Sequence, residues 1–173
     1  MKNILFLFVI CFISCQKKTD VIDGNTLLKN VPSKVFIPNN TSKININDTI
    51  INFKNTFKRL PNTEFSKFYL KEHSKTYMPY FNLTLNLSIN GKITLDGTPN
   101  SRKYLYKDIT EFIDFASGGK TTMLHLNFDE NVTVTQFYSF LQFIKPIKTA
   151  KIKINNNLFI YNTKNLPDCD CSL

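Results

Sequence analysis

The sequence predicts an α+β protein: a small mixed β-sheet with two amphipathic helices on one face, in the order ββαβαβ, preceded by an irregular N-terminal region. Three observations predict it. Apolar residues alternate with polar ones from residue 82 through a turn at Asn90-Gly91 and back to Leu95. Two later stretches, 103–117 and 133–144, switch to the helical period. Each of these is followed by another alternating stretch.

Before residue 82 the chain is harder to read. Residues 16–42 are polar, and Pro32 and Pro38 interrupt any regular element, with local strand character only at Val35-Phe36-Ile37. Within 43–53, Ile44, Ile46, Ile50, Ile51 and Phe53 suggest a short strand. Residues 54–80 are aromatic and basic, and Phe65, Phe68 and Tyr69 mark one side of a helix starting after Asn62.

From residue 82 each element has a reason. Leu83, Leu85, Leu87 and Ile89 alternate with Asn82, Thr84, Asn86, Ser88 and Asn90, the period of a half-buried strand. Asn90-Gly91 predicts a two-residue hairpin turn, because both positions tolerate positive φ. Ile93 and Leu95 form the return strand, which Asp96-Gly97 and Pro99 end. Leu105, Ile109, Phe112, Ile113 and Ala116 form a helical stripe, with Gly118-Gly119 as its stop. Leu124, Leu126 and Phe128 share one strand face. Thr133-Val134-Thr135-Gln136 is a capping box opening a helix whose stripe is Phe137, Phe140, Leu141 and Ile144, and Pro146 lies past its end. Ala150, Ile152 and Ile154 alternate with lysines in a strand, and residues 158–161 supply a last apolar segment, a strand or an edge addition. Both helical stripes then cover one sheet face, with a right-handed crossover through the first helix.

The 173 residues fit one ordinary domain with appendages, and 42% hydrophobic residues exclude a disordered chain. The formal net charge is +9, but the lysines are scattered and not interleaved with aromatics, which argues against nucleic acid as a partner.

The N-terminus carries the most specific signal. Met1-Lys2-Asn3 is a short positive start, residues 4–13 are apolar, and Phe12-Ile13-Ser14-Cys15 follows. This resembles a bacterial lipoprotein signal, in which the peptidase cuts before a cysteine that is then acylated. Ser14 supplies the small residue before the cut and Cys15 the thiol. Phe12 departs from the usual aliphatic residue, and the competing reading is an ordinary secretory signal. The resemblance implies a membrane anchor at Cys15. Gln16 is unlike an inner-membrane retention signal and Lys17-Lys18 is unlike an acidic surface-export signal, so the expected location is the outer membrane, facing the periplasm. The chain then divides into a signal peptide (1–14), a lipid-anchored tether (15–42), an extension (43–81), the α+β domain (82–161) and a tail (162–173).

The domain itself resembles the periplasmic domain of the ExbD/TolR biopolymer transport family. The resemblance rests on Leu87-Ser88-Ile89-Asn90-Gly91-Lys92-Ile93-Thr94-Leu95-Asp96-Gly97, the helix Leu105–Ala116, the strand ending at Asp129, the helix Val134–Ile144 and the strand over 151–154. It implies a module that dimerises and contacts periplasmic partners or the cell wall, with Asp129, the acid after the third strand, as a candidate partner contact. The family's transmembrane helix with its coupling aspartate has no counterpart here, and Lys148-Thr149 stands where the family has a glycine. Proton-coupled activity therefore does not carry over.

A search for chemistry finds little. Asp108, Glu111 and Asp114 read as the solvated side of a helix, and Asp129-Glu130 as a turn. His125 reads as a satisfied or surface histidine. Gly118-Gly119-Lys120-Thr121 lacks the first glycine of a phosphate loop and follows a helix. The sequons at Asn82, Asn86 and Asn131 are expected by chance in an Asn-rich chain. Cys169-Asp170-Cys171 leaves open a strained disulfide, pairing with another chain or a soft metal, beside the preferred reading of a frayed tail. The expectation is a lipid-anchored, non-catalytic binding or adaptor module of the cell envelope, without cofactor or metal, whose partner is an envelope protein or peptidoglycan. The alternative is an envelope hydrolase with a site near His125 and Asp129.

Overall fold

A computed structural model describes residues 22–23, 34–38, 51–52 and 57–166. The expected signal peptide, the expected anchor residue Cys15, and Cys169 and Cys171 lie outside the described residues. In chain order the strands are β1 (Ile22–Asp23), β2 (Lys34–Pro38), β3 (Ile51–Asn52), β4 (Phe57–Leu60), β5 (Phe81–Leu87), β6 (Ile93–Leu95), β7 (Thr98–Asn100), β8 (Thr122–Asp129), β9 (Ile152–Ile154) and β10 (Asn157–Tyr161). The helices are α1 (Asn62–Tyr77), α2 (Leu105–Ala116) and α3 (Val134–Ile144).

Among the described residues eight strands form one sheet, ordered β4-β2-β10-β8-β5-β6-β7, with β9 beside the first half of β8. Only the β5–β6 and β6–β7 pairings are antiparallel. Among the described residues the protein is thus a mixed α/β fold with three helices and a mostly parallel sheet. The alternating leucines do what their period requires. Leu83, Leu85, Leu87, Leu124, Leu126 and Phe128 are buried on one face together with Leu105, Ile109 and Ile113 of α2 and Phe137, Phe140, Leu141 and Ile144 of α3. Each such side chain contributes about 1.5–3 kcal/mol of burial.

Four expectations need correction. First, residue 82 is not a boundary. β2 and β4, from the presumed tether and extension, pair into the same sheet, in parallel with β10 and with each other. Second, α1 covers the opposite face, where Phe65 meets Phe36, Phe159 and Tyr161 in a second core. A sheet with parallel central strands needs cover on both faces. Third, of the two readings of residues 158–161 the strand holds and the edge addition does not: β10 lies between β2 and β8. Fourth, the two hairpin signals exchange roles. Asn90-Gly91 takes positive φ as expected (63° and 72°), but Ser88 N–H bonds Lys92 C=O at 2.8 Å across a three-residue link. The two-residue turn falls at Asp96-Gly97 (φ 46° and 81°), with Leu95 opposite Thr98. Of the strand expected over 43–53, Ile51–Asn52 is described and pairs with Ile22–Asp23.

The capping box at α3 is present in both directions. The Gln136 N–H donates to Thr133 Oγ1 (3.1 Å) and the Thr133 N–H to Gln136 Oε1 (3.0 Å). Thr133→Ala is expected to lower stability by about 1 kcal/mol. A shifted urea midpoint at unchanged slope is the readout, and no shift would mean that the box contributes nothing.

Candidate functional site

α1 lies over the polar side of β8 and β5, and there the chain gathers the groups that sequence reading left scattered. His125 is 1% exposed. Its ring stacks on His73 of α1, with centroids 4.1 Å apart. The hydrogen bonds fix its tautomer. Asn155 Oδ1 accepts from the Asn157 N–H (2.9 Å), so its amide nitrogen faces His125 Nδ1 (3.2 Å) and that ring nitrogen accepts. Asn82 gives both amide hydrogens to the Thr76 and Tyr80 carbonyls, so its oxygen faces His125 Nε2 at 2.9 Å. Thr76 Oγ1, donating to the His73 carbonyl, lies 3.1 Å from the same nitrogen. Nε2 therefore carries the hydrogen. On His73 it is Nδ1 that does so, donating to the Tyr69 carbonyl at 2.9 Å.

Both imidazoles are held neutral. Burial first, and the His73 ring second, push His125 down to about 3. Burial also lowers His73, against the opposing pull of the Tyr69 carbonyl and Glu72. Beside them runs a second row, in which the Asn127 amide donates to Tyr69 OH (3.1 Å) and Asn86 Oδ1 (2.9 Å), and the Asn86 amide donates to Thr94 (3.1 Å). A neutral ring whose two nitrogens are held by amides and a threonine packs a helix onto a sheet. A general base would instead need a reacting proton within reach.

Asp129 stands on the same strand face as His125 but four residues on, roughly 13 Å along the strand. The two do not meet. Oδ1 of Asp129 accepts from the Asn131 N–H and amide, and Oδ2 from the Thr163 N–H and hydroxyl. Burial pushes this carboxyl up, but the four bonds outweigh it and hold the acid below its ordinary range. Asp129 is 7% exposed, so the expected partner contact is instead the internal knot that ties the end of β8 to residue 163. Glu130 beside it is raised by burial and by the Asp129 charge.

The exposed feature lies at the other end of the sheet. Leu105, Ile109 and Ile113 of the α2 stripe are buried, but Phe112 is 42% exposed. Ala116 is exposed as well. Phe115, outside the stripe, is 93% exposed. The reason is that, among the described residues, the sheet ends at the three-residue β7 and no further strand supports that flank of the helix. A groove of about 480 Å³ remains, lined by Leu95, Pro99, Glu111, Phe112, Phe115 and Ala116 among others. Asp108 also lines it and is bonded by the Asn100 amide at 2.7 Å. Glu111 pairs with Lys107 at 3.5 Å, both exposed.

Asp114 is exposed, as expected of a solvated helix side. Gly118-Gly119 stops α2 and leads into β8, with no helix behind it to hold a phosphate. Among the described residues no three His, Cys, Asp or Glu side chains converge as metal ligands, and no helix is long and apolar enough to cross a membrane. His73, Thr76, Asn82 and Asn155 were not anticipated as a cluster. The one signal for them was the period-two row of polar residues at 82, 84 and 86 and at 125 and 127, which reads equally as a solvated face. No protein-family model matches the chain, and no curated protein matches it.

Proposed function

We propose that the chain is a lipid-anchored, non-catalytic binding module of the bacterial cell envelope, tethered at Cys15 and facing the periplasm. The observation that carries the binding role is the apolar groove beside α2, with Phe112 and Phe115 presented to solvent. Contiguous exposed apolar surface of this kind marks contact sites for other molecules. The histidine cluster supports the same reading from the other side, because its polar atoms serve to dock α1. The order hairpin, helix, strand, helix, strand is similar to the ExbD/TolR periplasmic module, and by that resemblance the partner belongs to an energy-transducing transport assembly or the cell wall. Two strands and a helix added before it distinguish this chain from the resemblance.

The anchor is tested by growing producing cells with alkynyl palmitate. The chain is expected to take up label, and Cys15→Ala to lose it and leave the membrane fraction. A wild-type chain without label in its own host would remove the anchor from the proposal.

A further inference from the structure

We propose that the groove between α2 and the β6–β7 hairpin receives an amphipathic helix of a partner protein, carrying aliphatic or aromatic anchors for Phe112 and Phe115 and a lysine or arginine for Glu111. The inference rests on reading the chain as a binding module and names the chemistry of its partner.

Three observations narrow the occupant. The first concerns strand addition, the commonest use of a sheet edge. In the two-residue hairpin at Asp96-Gly97, Leu95 and Thr98 form the hydrogen-bonded pair, so the next residue, Pro99, turns its backbone outward. Proline has no N–H, and the middle of β7 offers an added strand no donor. Recognition therefore falls to side chains, and a helix lying in the groove is the mode that needs no backbone pairing.

The second observation is charge. The chain carries 22 Lys and Arg against 13 Asp and Glu, yet among the described residues Asp108 and Glu111 line the groove and no cation does. Asp114 lies on the same helix. An anionic bilayer would meet these acids, and so would the same face of a second copy across a two-fold axis. Like charges brought together oppose both arrangements, while a cationic segment is favoured and steered in. The exposed Lys107–Glu111 pair is worth little and yields Glu111 readily.

The third observation is the anchor geometry. Phe112 and Phe115 are three positions apart on one helix and therefore neighbours on its surface. Aromatic side chains at the centre of a concave patch are the usual energetic centre of an interface.

The test replaces Phe115 in the full-length chain with a photo-crosslinking benzoylphenylalanine, in the cells that make the protein, and sequences the crosslinked peptide. The expected adduct is a protein segment with Lys or Arg within one helical turn of an apolar anchor. Glu111→Lys should lower its yield at least tenfold, while Lys67→Glu on the exposed side of α1 leaves it unchanged. Glu111 and Phe115 are exposed, so neither change endangers the fold. The proposal fails if there is no protein adduct, if the adduct is to a second copy of the chain or to phospholipid, or if it survives Glu111→Lys. Palmitate label read in the same cells separates the two claims: label without adduct removes the groove's role, and adduct without label removes the anchor.

Discussion

Lowering the pH from 7 to 5 is expected to cost the folded protein roughly 2 kcal/mol through His125 alone, with more lost at lower pH. The unfolded chain protonates its histidines near 6.5, whereas folded His125 does so only at about 3. Between these values the unfolded state holds the extra proton. The contribution of the neutral ring is therefore complete above about pH 6.5 and shrinks as pH falls toward 3. The geometry gives the same answer without the titration. A second proton on Nδ1 would point at the Asn155 amide nitrogen, whose orientation the Asn157 N–H fixes. It would also place a positive charge against the stacked His73 ring. His73 shifts in the same direction and adds to the slope. The carboxylate of Asp129 acts in a separate, lower window: its stabilisation is present above the ordinary carboxylate range and is lost only as pH falls below that range. Urea midpoints at pH 7, 6, 5 and 4 measure the effect, and in His125→Gln the slope between pH 6.5 and 4 should flatten. A parent protein equally stable at pH 7 and pH 4.5 would falsify this account.

Phe65→Ala is expected to cost about 3–5 kcal/mol, a large part of what a domain of this size has. Phe65 is fully buried and sits in the aromatic cluster beneath α1. Its ring centroid lies 5.8 Å from Phe159, edge-on, and 5.7 Å from Tyr161. Around it Phe36 contacts Phe68 at 4.3 Å and Tyr69 contacts Phe159 at 4.9 Å. Removing the ring leaves a cavity that the sheet cannot close. Phe115→Ala, at a nearly fully exposed position of α2, should stay within about 0.5 kcal/mol. If Phe65→Ala does not fold, Phe65→Leu keeps most of the volume and should fall between the two. Equal midpoints for the alanine variants at 65 and 115 would mean that α1 is not held as described.

The contrast between these sites explains what the sequence disclosed. α2 and α3 were legible because their buried stripes are aliphatic and phenylalanine, and the Thr133–Gln136 box announces the start of α3. The strands β5, β6 and β8 were legible because one face of each is strictly apolar. α1 was nearly silent. Phe65 and Ser66 are its buried residues, and much of what it turns toward the sheet is polar: Glu72, His73 and Thr76. A helix docked largely by hydrogen bonds onto an amide-rich sheet face leaves only a short hydrophobic period, Phe65, Phe68 and Tyr69, to find. The helix after Asn62 was expected but its seat on the sheet was not, so His125 could still read as a surface histidine, when α1 buries it together with Asn127. β2 was misplaced for a different reason. The five residues Lys34–Pro38 carry a strand's composition up to their closing proline, but nothing local says that the partner strand lies more than a hundred residues later, at β10. The exposed Phe112 was counted in the core stripe because periodicity reports the direction of a side chain and not where the sheet stops.

The placement of β2 has a mechanical consequence. If Cys15 is anchored as proposed, a pull from that side reaches the eight-stranded sheet at Lys34, the first residue of β2. β2 runs parallel to β10, in the register Lys34 to Asn157, Val35 to Leu158 and Phe36 to Phe159. The chain leaves β10 at the opposite end from which it enters β2. Tension between the two termini therefore loads these rungs together, in shear, instead of peeling them apart one by one. A body held in this way resists extraction from its leash better than one whose first strand ends in a hairpin.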